Sequence, residues 1–461
     1  MENLDKHPST HSETNIIEES DAVTNVCPAN ARWLVDGMAA MRSVKPRETY
    51  KEWFTALLRF SKPPVESCAL SVEMINDTYR KESVKGGTRL NRGNVSKRTY
   101  IQGYDQQMLQ GNTWNSFFHN IDNKRDLIKL ASKFYQSPEG RQMLSLPLTF
   151  TDGDRTLEIT RFRSIERFQC NQEEADTRLI LHASLQDTNV VVVAKDTDIL
   201  LLLVHAYNKL KPSNKWFMKI DRERYVDIFK VAEYLGCEIA SYLPQIHAIT
   251  GCDTTSFFFG VGKIKVLKKL KKQQNSLHLL RSVGQTDTLS DQDIIDATKF
   301  VQTVLYSGKE SETLVETRIR LYKAMKTKSS QSIPPDPDSL RQALLRVHYQ
   351  VYNWLRFDTK MVVYLNFEHF GWKNDAQVEI VTPVWFTGSS CTISFLKKMF
   401  VFSLLCFSDF NRIVMDHFHL QEANCPRQKI KQKKQKADPQ LEKGIDAEKK
   451  RWKWRLTAKQ F

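Results

Sequence analysis

"VVVVAKDTDILLLL" (residues 190–203) sets two aspartates, Asp196 and Asp198, between two strongly apolar runs. Four consecutive valines leave no polar face, which predicts a strand buried on both sides in a parallel sheet. A carboxylate beside such a strand is costly unless something pairs with it. Two readings account for the pair. Taken alone, Asp196 reads as a helix N-cap with Asp198 near the positive end of the helix dipole; a bound cation becomes the reading only in combination with the other acids.

Working outward, the same pattern recurs. "RWLVDGMAAM" (32–41) is a short apolar run ending in Asp36, and "RETYKEWFTALLRF" (47–60) has apolar spacing that predicts a helix. "CALSVEMIND" (68–77) predicts a strand ending at Asp77, and "KWFMKI" (215–220) predicts another. Helices are predicted for "KRDLIKLASKFY" (124–135), for "EEADTRLILHASLQ" (173–186), and for "YVDIFKVAEYLG" (225–236), which Gly236 stops. Strands alternating with helices predict an α/β domain with a mostly parallel central sheet and helices on both faces. In an open parallel sheet, ligands bind at the carboxyl ends of the strands. The candidate acids there are Asp36, Asp77, Asp196 and Asp198. Glu174 and Asp176, with Glu173 beside them, open a helix, and Asp253 follows "LPQIHAITGCD" (243–253). So many like charges in one crevice would repel unless cations neutralise them. An all-oxygen set suits Mg²⁺ or Mn²⁺, in a pair able to activate water for phosphodiester hydrolysis.

"GCDTTSFFFGVGKIKVLKKLKK" (251–272) predicts a tight turn at Gly260 and Gly262 opening a helix that carries Lys263, Lys265 and Lys268. Glycines permit close approach to a phosphate, and lysines attract a nucleic-acid backbone without regard to sequence. The same pattern also describes a solvated basic helix with Val266, Leu267 and Leu270 packed inward. The chain of 461 residues has a formal net charge of +15. Residues 425–461 hold 13 Lys or Arg against 4 Asp or Glu, a net +9, so the body is only mildly basic. The implied partner is nucleic acid, DNA ahead of RNA, and "KIKQKKQK" (429–436) fits a nuclear address. "RWKWRL" (451–456) interleaves two tryptophans with basic residues, a combination able to stack bases. The apolar run "MFVFSLLCF" (399–407) is about half the roughly 20 residues of a membrane span, so no membrane partner is expected. Eight scattered cysteines without a CxxC pair argue for reduced thiols and against a zinc site. His182, His205 and His247 sit on apolar stretches and read as packed or capping residues, and Cys252 as a buried small residue.

The strings "WLVDGM", "VEMINDTYRK", "EEADTRL", "VVVVAKDTDILLL" and "ITGCDTTSFFFGVGKIKVLKKL" occur in that order over roughly residues 31–275. Together they resemble the PIN-like domain of the flap endonuclease and XPG family of structure-specific 5′-nucleases, and the same core in a broad set of animal proteins associated with mobile elements. The resemblance implies metal ligation by Asp36, Asp77, Glu174, Asp176, Asp196, Asp198 and Asp253. It also implies that Lys85 with Arg89 or Arg92 steers the scissile phosphate, that the turn from Gly260 to Lys263 grips duplex backbone, and that the products carry 5′-phosphate and 3′-hydroxyl ends. Residues 86–150 stand where the family carries a helical arch.

The expected organisation is a disordered tail over 1–30, a nuclease domain over 31–285, a less ordered helical accessory region over 286–420 and a basic tail over 421–461. The expected function is a Mg²⁺- or Mn²⁺-dependent nuclease. The alternative is a non-catalytic nucleic-acid-binding protein derived from a mobile element. A further rival, an acidic phosphotransfer fold of the Toprim type, would give Asp36 no role.

Overall fold

The computed structural model describes residues 17–80, 83–85, 97–324, 332–375 and 380–388. The calls on Arg89 and Arg92, on the apolar run at 399–407 and on the basic tail with "KIKQKKQK" and "RWKWRL" lie outside the described residues.

A nine-stranded mixed sheet organises the fold. Its strands are β1 (Val23–Thr24), β2 (Ala31–Asp36), β3 (Ser71–Ile75), β4 (Leu148–Asp152), β5 (Arg155–Ile159), β6 (Ser164–Gln169), β7 (Asn189–Val193), β8 (Trp216–Lys219) and β9 (Tyr225–Asp227). They run in the order β1-β9-β8-β7-β2-β3-β4-β5-β6. The five central strands, from β8 to β4, are all mutually parallel. Antiparallel strands extend the sheet at both edges. The chain leaves β2 toward β3 and β4 on one side, and returns as β7 and β8 on the other. The reversal of strand order therefore falls between β2 and β7, where Val35 is in register with Val193. Helices that start from these two strands diverge, and a crevice opens between them at the carboxyl ends.

Alternation along β2 assigns its side chains to opposite faces. Trp33 and Val35 point one way and Leu34 the other, as a period of two requires. On the Val35 side, helices Gly37–Ser43, Tyr50–Phe60 and Ile121–Gln136 bury an aromatic cluster that includes Tyr50, Trp53, Phe54, Trp114 and Phe134. On the Leu34 side, helices Ala175–Ser184 and Thr197–Leu210 cover the valines of β7. Helices thus lie on both faces of the sheet.

Four sequence expectations change. Residues 17–30 are not all tail: Val23 and Thr24 pair with Val226 and Tyr225, and Ala22 is buried. Residues 225–227, expected in a helix, form β9, and the helix starts at Ile228 with Asp227 as its N-cap. Within the stretch expected to be an arch, residues 121–136 pack on the sheet and residues 148–150 pair with β3. The core also crosses residue 285 without interruption. Ile294, Phe300, Leu344, Val347, Val351, Trp354 and Phe357 share one hydrophobic cluster with Val190, Val192 and Ile246. Among the described residues, no helix is long and apolar enough to cross a membrane.

Candidate functional site

Asp36 ends β2 and caps the helix that follows. Its Oδ1 accepts hydrogen bonds from Met38 and Ala39 N–H, both at 3.0 Å. Gly37 is forced by the next strand over: a Cβ there would stand 2.0 Å from Asn76 Oδ1. Asn76 is itself locked to Thr151 through its N–H at 2.7 Å and its amide at 2.8 Å. This packing brings the segment carrying Asp77 against the end of β2. Asp77 Oδ1 in turn accepts from Ala175 N–H at 2.8 Å, so it caps the helix Ala175–Ser184 from a distant part of the chain. That helix opens on Glu174 and carries Asp176 in its first turn. Arg178, fully buried, fixes its direction by donating to the Gly153 carbonyl at 2.6 Å, the Arg155 carbonyl at 3.2 Å and Thr156 Oγ1 at 3.2 Å.

Beyond β7, Asp196 is the N-cap of the helix Thr197–Leu210 and accepts from Asp198 N–H at 2.9 Å. Asp198 Oδ1 is 2.7 Å from His247 Nε2, and His247 is buried against Trp354. The last acid sits after the helix Leu243–Thr250, on a loop that Gly251 begins in the left-handed region at φ +104°. The Thr255 hydroxyl ties that loop by donating to the Ala248 carbonyl at 2.7 Å and accepting from Cys252 N–H at 3.0 Å. Asp253 is exposed at its tip.

Electrostatic interactions link the predicted acids: Asp77 and Asp196 act on Asp36, Glu174, Asp196 and Asp77 act on Asp176, and Asp198 and Asp253 act on Asp196. Burial, with Asp77 and Asp196 adding to it, pushes the Asp36 carboxyl up to about 6 against its two N–H donors. Burial first, then Glu174, Asp196 and Asp77, raises Asp176 well above the usual carboxylate range, although Lys85 opposes. Asp196, exposed at the helix start, is raised by partial desolvation, then by Asp198 and Asp253. Asp198 goes the other way: burial would raise it, but His247, Lys85 and Lys263 outweigh that and hold it low. Carboxylates that lift one another in this way form an anionic cluster short of positive charge.

Lys85 supplies part of that charge. Its Nζ lies 3.1 Å from both Glu174 Oε2 and Asp176 Oδ2. Behind it a cavity of about 30 Å³, bordered by Glu173, Tyr349 and Tyr364, has room for about one water. Among the described residues, no group of three or more His, Cys, Asp or Glu side chains is placed so that it could hold a metal ion. The donor set is nonetheless all hard oxygen on a partly protonated anionic surface, the chemistry that Mg²⁺ or Mn²⁺ prefers. Cys252 offers no nucleophile, since burial and then Asp198 push its thiol up to about 11.

Of the predicted basic residues, Lys263 opens the helix Lys263–Leu270 directly after Gly262 and is close enough to lower Asp198. Gly260, at φ +75°, makes the turn before it. Lys265 is exposed on the same helix. Lys268 instead pairs with Glu19 at 2.9 Å, and Lys269 donates to the Thr303 and Val304 carbonyls at 2.7 and 2.9 Å, a structural role. Sequence reasoning missed the part His247 plays, because its helix is apolar on every side. It also missed Glu73, a buried carboxylate in mid-strand paired with His182 at 2.6 Å, whose partner lies more than a hundred residues away. Compared with protein-family models and with curated proteins, the sequence matches none.

Proposed function

We propose that the chain is a metal-dependent nuclease of the PIN-like, 5′-nuclease type, acting on DNA ahead of RNA. The observation that carries the reading is that seven carboxylates from five separate segments, three of them at or just past the ends of β2, β3 and β7, act on one another, with Asp36, Asp176 and Asp196 all pushed upward. Structural acids at helix starts need only a few N–H donors; a cluster whose members destabilise one another calls for a cation. Asp36, Asp77, Glu174, Asp176, Asp196, Asp198 and Asp253 would hold Mg²⁺ or Mn²⁺. Bound there, the ions supply Lewis-acid activation of water and of the phosphodiester oxygens. The chain's own residues do the rest. Asp36 and Asp196 stay fixed by the helix starts they cap, and His247 orients Asp198. Lys85, held at the mouth between Glu174 and Asp176, offers an ammonium to a phosphate oxygen, and Lys263 and Lys265 attract the flanking backbone. The part assigned to Asp36 disfavours a Toprim-type rival, in which it would have none.

The experiment is cleavage of branched DNA in Mn²⁺ by the wild-type chain and by Asp196→Ala with Asp198→Ala. The double variant is expected to lose cleavage and to keep salt-sensitive binding; unchanged cleavage refutes the assignment.

A second reading has one observation in its favour. Lys85 already acts as an internal cation for Glu174 and Asp176, which suits a non-catalytic nucleic-acid-binding protein that keeps the sheet and the basic turn. Thermal stabilisation by Mn²⁺ separates the two: several degrees on the nuclease reading, none on the other.

A further inference from the structure

The run Phe257-Phe258-Phe259 between Asp253 and Lys263 divides by direction. Phe258 is buried and meets Tyr306 edge-on at 6.0 Å. With that ring anchored, its neighbours turn outward: Phe257 is 73% exposed and Phe259 49%. The loop is also held in place. The Thr254 hydroxyl donates to Gln350 Oε1 at 2.6 Å, and Thr255 bonds the Ala248 carbonyl. Phe257 lies so close on Gly251 that a Cβ there would stand 2.6 Å from Phe257 Cβ. Two phenyl rings are thus presented to water from a fixed backbone, beside the segment that carries Asp253. On their other side is Lys263, whose charge reaches Asp198, with exposed Lys265 beyond it.

Large apolar groups held rigidly in water carry a hydration penalty that a partner relieves. The charge around these rings selects the partner, since Lys263, Lys265, Lys268 and Lys269 follow directly on the helix they precede. Aromatic faces interleaved with cations fit single-stranded nucleic acid, whose bases stack on the rings while its phosphates meet the lysines. A duplex hides its base faces and could use only the lysines.

We propose that Phe257 and Phe259 form a stacking platform for unpaired bases of the strand presented to the carboxylate cleft. This rests on the nucleic-acid reading of the cleft.

The test is fluorescence anisotropy in EDTA with the full chain, using a labelled oligothymidylate and a blunt duplex of equal length. Phe257→Ala with Phe259→Ala is expected to weaken oligothymidylate binding by about tenfold or more, from lost stacking. Duplex binding should change by less than about twofold, a lysine-dominated contact being untouched. Phe257→Tyr with Phe259→Tyr should bind the oligothymidylate like wild type. Because the rings are exposed, the variants should melt with wild type, which excludes misfolding as the cause. Equal losses on both probes, or no loss on the oligothymidylate, overturn the platform and leave the cleft reading standing; the second result is the one expected if a protein partner covers the rings. A wild-type chain that binds neither probe overturns both.

Discussion

Replacing Asp36 by asparagine is expected to stabilise the metal-free protein. Asp36 is half-buried at the end of β2, and its carboxyl is pushed from 3.8 up to about 6, by desolvation first and then by Asp77 and Asp196. The folded state therefore binds a proton more readily than the unfolded chain, and stability falls as pH rises through that interval. A gap of about 2 pKa units corresponds to about 3 kcal/mol, present in full above the folded-state value and absent below the unfolded one. Asparagine keeps an Oδ1 for the Met38 and Ala39 N–H groups, so the helix cap survives while the charge is gone. Urea unfolding in EDTA, followed by circular dichroism, should find Asp36→Asn more stable than wild type by up to about 3 kcal/mol near neutral pH, with the difference shrinking toward about pH 4. Mn²⁺ should then favour wild type, whose gain is about 2.7 kcal/mol when free metal is about a hundredfold above Kd. A variant no more stable than wild type in EDTA at neutral pH, or a difference that does not narrow in acid, refutes the electrostatic reasoning.

Two other perturbations probe the site and the core. Lys85→Met leaves Glu174 and Asp176 without the ammonium that lies 3.1 Å from each. Calorimetry in EDTA should show a loss of about 3 kcal/mol, the scale for breaking a buried pair; Mn²⁺ should restore most of it, and absence of rescue speaks for the non-catalytic reading. His205 and His348 are both lowered to about 4 by burial. Folded, they resist protonation that the unfolded chain accepts at about 6.5, so each withdraws about 1.4 kcal/mol per pH unit as pH falls from 6.5 toward 4. His205→Gln should melt with a shallower acid limb than wild type over that window; parallel curves refute the assignment.

The central strands and their acids were legible because their signal is local. Four valines ahead of Asp196, and the apolar run ahead of Asp36, specify buried parallel strands and name the residues at their ends. The edge strands were not. "SIERFQ" is half polar because β6 is the antiparallel edge strand, largely exposed, and the short "RTLEI" of β5, mostly buried between β4 and β6, carries too little alternation to separate from loop. Asp77 was placed at a strand end, whereas β3 stops at Ile75 and Asp77 serves instead as the cap of a helix 98 residues away. The pairings of Lys85, Glu73 and His247 depend on long-range contacts that no spacing encodes. The Asp196–Asp198 pair shows that both of its readings can hold together: Asp196 caps a helix and also joins the anionic cluster.

The helix Pro337–Leu355 reaches the acids from behind. Gln350 accepts from Thr254 and extends its amide to 3.5 Å from Glu174, Trp354 lies on His247, and the Phe357 carbonyl accepts from Gln172 at 3.0 Å. A proteolytic product cut ahead of Asp336 would therefore lose the back wall of the cleft along with its own C-terminal portion. The acids and the helix that supports them form one folded unit, and no shorter fragment ending near residue 285 keeps those contacts intact.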